Sequence, residues 1–76
     1  MILEEIKFDD TIEGKRKAIM DSLGQQVILK DFHSSWCHGR IRDIGYDSSV
    51  YEMIIYDGRK AGQFHYHDLE QLIIAR

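Results

Sequence analysis

The chain has 76 residues, 43% hydrophobic and 30% charged, with a formal net charge of −3 and a single cysteine, Cys37. This composition fits one globular domain over 1–76 and excludes a disordered chain, and one thiol excludes the internal disulfide framework common in small secreted domains. A pI near 5.7 argues against wholesale electrostatic binding to nucleic acid, which needs a basic domain or a strong basic patch.

Residues 1–6 include Glu4 and Glu5 where a secretory signal would place basic residues ahead of an apolar run. Leu72-Ile73-Ile74-Ala75, an apolar run of four, falls far short of the roughly 20 residues that cross a bilayer. A cytoplasmic location with no membrane contact is expected. Asp10 followed by Glu13 reads as a capping box, which predicts a helix over 11–23. Ile12, Ile19, Met20 and Leu23 recur near helical spacing, so the helix is expected to pack through Ile12, Ile19 and Leu23. Gly14 weakens it by about 1 kcal/mol relative to alanine, and Gly24 suits a left-handed C-cap.

Beyond Gly24 the pattern turns extended, and short runs rich in Val, Ile, Tyr and Phe predict five strands. The first covers 26–30, with Val27 and Leu29 on one face, and a long loop over 31–38 follows. In the second, 39–44, Ile41 and Ile44 fall out of alternation and predict a bulge. A turn over 45–49 leads to a strand over 50–56 with Tyr51, Met53 and Ile55 on one face. Asp57-Gly58 is a hairpin signal. The returning strand carries Phe64 and Tyr66 opposite Gln63, His65 and His67, and a tight turn over 67–70 precedes a last strand over 71–75. Tyr51 and Phe64 are expected in the core.

Residues 26–29, 36–44, 51–58 and 64–74 carry a resemblance, with Gly39-x-Ile41 and the closing Phe64-x-x-x-x-Leu69-Glu70-x-Leu72 as its motifs. The succession resembles SH3-like small barrels, among them the small barrel protein of photosystem I and the KOW and Tudor-like modules. The resemblance implies a mainly β (α+β) fold: a five-stranded SH3-like barrel over 24–76, preceded by a helical segment over 1–23 that lies outside the pattern. Many unrelated functions use this fold, so activity has to be argued from sites.

The densest cluster of chemistry-bearing residues is His33, Cys37 and His38 in the loop with His65 and His67 on a later strand face. His65 and His67, two apart on one face, have a spacing that lets imidazoles share a zinc ion, with Cys37 or His33 as further ligands. The paired C-x-x-C spacing of strong zinc sites is missing, so no cofactor is expected. Cys37 beside His38 makes no nucleophile and base, because strand neighbours face opposite ways. The aromatic residues Phe32, Trp36 and Tyr46 lie in segments that flank the ligand groove of such barrels. Arg40 and Arg42 share a strand face and are candidates for an acidic partner or phosphate.

Together these residues point to a noncatalytic protein-interaction module, an accessory subunit or small regulator or inhibitor of a larger bacterial or phage assembly. Phe32, Trp36, Tyr46, Arg40 and Arg42 are its expected contact residues. The alternatives are RNA or DNA binding through Lys15, Arg16, Lys17, Arg40, Arg42, Arg59 and Lys60, and a zinc-dependent role for the His and Cys cluster. An open sheet edge would also permit a homodimer.

Overall fold

A computed structural model describes residues 2–32, 34–44, 49–55 and 60–76. The elements run β1 (Leu3–Glu5), α1 (Ile12–Asp21), β2 (Gln26–Asp31), β3 (Ser34–Asp43), β4 (Val50–Ile55), β5 (Lys60–His65), a 3-10 turn (Tyr66–Asp68) and β6 (Leu69–Ala75). The fold is mainly β with one short helix. All strand pairs are antiparallel, in one sheet of order β1-β6-β2-β3-β4-β5.

Where five strands in an SH3-like barrel were expected, the described residues form six strands in a sheet whose ladder does not close, with β1 and β5 as its edges. The additional strand comes from the front segment. Leu3, Glu4 and Glu5 are all exposed, so no burial pattern betrays a strand. Backbone pairing forms it instead, in the register Leu3↔Ala75 to Glu5↔Ile73. The ladder continues outward, with Ile2 N–H donating to the Arg76 carbonyl at 2.7 Å and Arg76 N–H to the Ile2 carbonyl at 2.8 Å.

The helix begins one residue later than the capping-box reading requires. Thr11 is the N-cap, in extended conformation, and its Oγ1 accepts from Gly14 N–H at 3.0 Å. The Asp9 carboxylate accepts from both the hydroxyl and the amide of Thr11. Asp10, expected as the cap, pairs instead with the ammonium of Lys15 at 3.1 Å. The packing face also differs: Lys15, Ala18, Ile19 and Ser22, spaced as one helical stripe, are buried, while Ile12 and Leu23 are 45% and 47% exposed. Ser22 tolerates burial because its hydroxyl donates to the Ala18 carbonyl at 2.9 Å. Gly24 takes the expected left-handed conformation, φ 78°, and its amide donates to the Ile41 carbonyl at 2.9 Å, tying the end of the helix to β3.

The core gathers Ala18 and Ile19 of α1, Val27 and Leu29 of β2, Ile41, Tyr51 and Tyr66, and Leu69, Leu72 and Ile74 of β6. Phe64 is half-buried against it and stacks on its cross-strand partner Tyr51, centroids 5.6 Å apart. The predicted bulge is present: the β3–β4 register shifts between Ile41 and Asp43, and Ile44 packs on the core. The long loop over 31–38 is not. β3 starts at Ser34, which puts Trp36, Cys37 and His38 on a strand, with Leu29 opposite Cys37. The turn chemistry of this polar stretch is overridden by cross-strand pairing. β5 ends at His65, so Tyr66 belongs to the 3-10 turn, yet it is fully buried. The Asp57-Gly58 turn and most of the 45–49 turn lie outside the described residues. Among the described residues, no helix is long and apolar enough to cross a membrane.

Candidate functional site

Two ladder irregularities converge at the end of β2. Between Lys30 and Asp31 the β2–β6 register skips from Gln71 to Leu69, leaving Glu70 as the extra residue; between Leu29 and Asp31 the β2–β3 register jumps from Cys37 to Ser34. Bulges bend a sheet and re-aim the side chains beside them. Here they turn Phe32, 73% exposed, out of the hairpin tip, whose position is fixed by the bond from Phe32 N–H to the Asp68 carbonyl at 2.8 Å.

A cleft of about 640 Å³ opens at this end of the molecule, between the segment entering α1, the hairpin tip and the start of β6. Phe8 and Phe32 supply its aromatic surface; Asp9, Asp10, Asp68 and Glu70 supply carboxylates. Lys15 is built into the wall. It is only 6% exposed, and its ammonium meets the Asp10 carboxylate and donates to the His67 carbonyl at 2.9 Å, joining α1 to the 3-10 turn. His67 Nε2 lies 3.1 Å from Asp68 Oδ1, and Lys30 stands 3.8 Å from Glu70. The two hydrogen bonds from Thr11 hold the Asp9 carboxyl below its usual range, so it stays ionised at neutral pH.

Behind this end Asp31 and Asp68 are buried, and their charges reach Tyr51 in the core. Burial first, then Asp31 among the neighbouring charges, pushes the Tyr51 phenol far up.

The expected contact residues divide. Phe32 stands at the cleft. Trp36, on β3 rather than in a loop, is 48% exposed and stands outside the buried core cluster. Arg40 and Arg42 are exposed further along β3, and Tyr46 lies outside the described residues. Of the metal candidates, His33 lies outside the described residues, Cys37 packs inward on the core, and His65 and His67 are exposed with ring centroids 5.4 Å apart. No group of three or more potential metal ligands gathers among the described residues. The basic set also loses a member, since Lys15 points into the structure.

Sequence reasoning missed Phe8, Asp9, Asp68 and Glu70 as residues lining one site. They are brought together from segments up to about 60 positions apart, and only the Asp9-Asp10 pair beside a helix start marked that segment. No family model, curated protein or solved structure matches the chain.

Proposed function

We propose that this chain is a noncatalytic protein-interaction module that engages a protein partner through the end of the sheet carrying Phe32 and Trp36. The observation that carries the reading is the pair of large aromatic side chains left in solvent on one hairpin, of which Phe32 lines an open cleft. Exposed aromatic residues at a concave site are typical anchors of protein interfaces, where they contribute more than rim charges. The succession of β2 to β6, with a 3-10 turn ahead of a last strand that returns beside the first, supports the finer reading as an SH3-like small barrel extended by β1. In such barrels the first hairpin and the turns near it flank the ligand groove, and here that position holds the cleft. Nucleic-acid binding is the weaker alternative, because Lys15 is committed to the wall and the cleft is lined by carboxylates.

The test is capture of a partner from the native host, followed by affinity measurements on variants. Trp36→Ala is expected to weaken binding by roughly 2 kcal/mol and Arg40→Ala by about 1 or less, with stability changed by about 1 kcal/mol or less in both. A larger loss for Arg40→Ala that disappears at high salt would instead favour an electrostatic, nucleic-acid-like contact.

A further inference from the structure

We infer that the cleft takes an arginine side chain of the protein partner, its guanidinium against the Phe32 ring and facing the carboxylates of Asp9, Asp68 and Glu70. The inference rests on the interaction reading above and specifies the chemistry of the partner.

Charge complementarity sets the sign of the occupant. Four carboxylates line the cleft against one ammonium, and that ammonium, on Lys15, is already met by Asp10 and a backbone carbonyl. Counting Lys30 beside Glu70 still leaves four negative against two positive groups. An anion entering here would be repelled, and a cation would be drawn by the excess of carboxylates and add to the contacts that Thr11, Lys15, His67 and Lys30 already make with them. The aromatic surface narrows the choice further. Phe32 presents an exposed ring and Phe8 a half-buried one next to those carboxylates. A guanidinium stacks flat on a ring while its edge donates two parallel bonds to a carboxylate, which a lysine ammonium cannot do. The cleft, at about 640 Å³, is larger than one side chain fills, so it has room for the neighbouring residues of a peptide. This favours an arginine in a protein segment over a free small cation.

The full chain, labelled for amide correlation spectra, is titrated with N-acetyl-Gly-Arg-Gly-amide up to roughly 10 mM, enough to register a millimolar site. The matching lysine and glutamate peptides are controls. Saturable shifts are expected at Phe32, Asp68, Leu69 and Glu70. Arginine should bind at least about threefold more tightly than lysine, and the glutamate peptide should give no saturable shift. Phe32→Ala should weaken arginine binding roughly two- to fivefold, the range of an exposed cation–π contact, and Glu70→Gln should weaken it and reduce its salt dependence. Both side chains are exposed, so the rest of the spectrum should remain that of the folded parent.

The inference is overturned if the arginine peptide leaves these amides unmoved, if the glutamate peptide or a short oligonucleotide moves them equally, or if they shift with protein concentration alone, as a second copy in the cleft would cause. If Trp36→Ala abolishes capture of the host partner while Phe32→Ala and Glu70→Gln leave it intact, the cleft inference falls and the interaction reading stands. If the arginine peptide binds as described but neither aromatic substitution affects partner binding, the interaction reading falls instead.

Discussion

Tyr51 and Tyr66 place two phenols inside a largely aliphatic core, their rings 5.2 Å apart and both fully buried. Neither hydroxyl has a hydrogen-bond partner among the described residues. Burial pushes both phenols up from the ordinary value of 10.0, and for Tyr51 the charge of Asp31 adds to the effect. The folded state therefore holds protons that the unfolded chain releases once the pH passes about 10. The stability linked to these protons is complete below that pH and is lost as the pH rises above it. Base titration is expected to unfold the domain cooperatively, with buried phenolate absorbance appearing together with the loss of β circular dichroism. Tyr51→Phe should shift stability at neutral pH by about 1 kcal/mol or less, since it removes a buried hydroxyl with no described partner, and should flatten the alkaline fall. A phenolate signal that rises to its full four-tyrosine amplitude before unfolding would contradict this. Period-two alternation made the inward position of Tyr51 legible in the sequence. Alternation also put Tyr66 on the face of Phe64, but not its element: the strand ends at His65, and a 3-10 turn carries Tyr66 inward.

The helix shows how a local signal can be right about an element and wrong about its details. Gly24 correctly marked where α1 gives way to the sheet. Of the three apolar residues expected to pack, Ile19 does, and the rest of the face escaped notice because a buried Lys15 satisfied by Asp10 and the His67 carbonyl looks like a surface residue in sequence. Gly14, which reads as a helix weakener, sits where a Cβ would clash with the Asp9 carboxylate and fall 3.1 Å from Thr11 Oγ1. Alanine there would gain about 1 kcal/mol of helix propensity but would push the Asp9 carboxylate off Thr11, whose cap is itself worth roughly 1 kcal/mol. The expected outcome is a double-mutant cycle with positive coupling. Gly14→Ala should be near neutral or destabilising in the parent, and should stabilise by about 1 kcal/mol in an Asp9→Ala background. Urea denaturation of the four proteins checks it, and equal effects of Gly14→Ala in both backgrounds would refute the steric argument.

For the whole molecule, the β-rich class and the strand succession after Gly24 could be read from the sequence, because alternation and turn residues are local signals. The sixth strand could not, because backbone pairing to β6 makes β1 and nothing in Leu3-Glu4-Glu5 announces it. The cleft was beyond reach for the same reason: its walls come from three separate segments, and of its lining only Phe32 stands out in the sequence as a contact residue. The pairing of β1 with β6 has a further consequence. Ile2 and Arg76 exchange both backbone hydrogen bonds, and Glu4 and Arg76 form an ion pair at 3.1 Å, so residues 2 and 76 are held side by side across the antiparallel pair. Two antiparallel ends in that relation need only a tight turn of a few residues to become continuous. Head-to-tail cyclisation through such a turn would take conformational freedom from the unfolded chain alone, about 4 kcal/mol in the chain-entropy picture. Thermal melting of the circular protein should rise by on the order of 15 °C or more over the linear one. The cleft lies at the far end of β6, some six residues or roughly 20 Å from the junction, so a circular chain should bind with unchanged affinity.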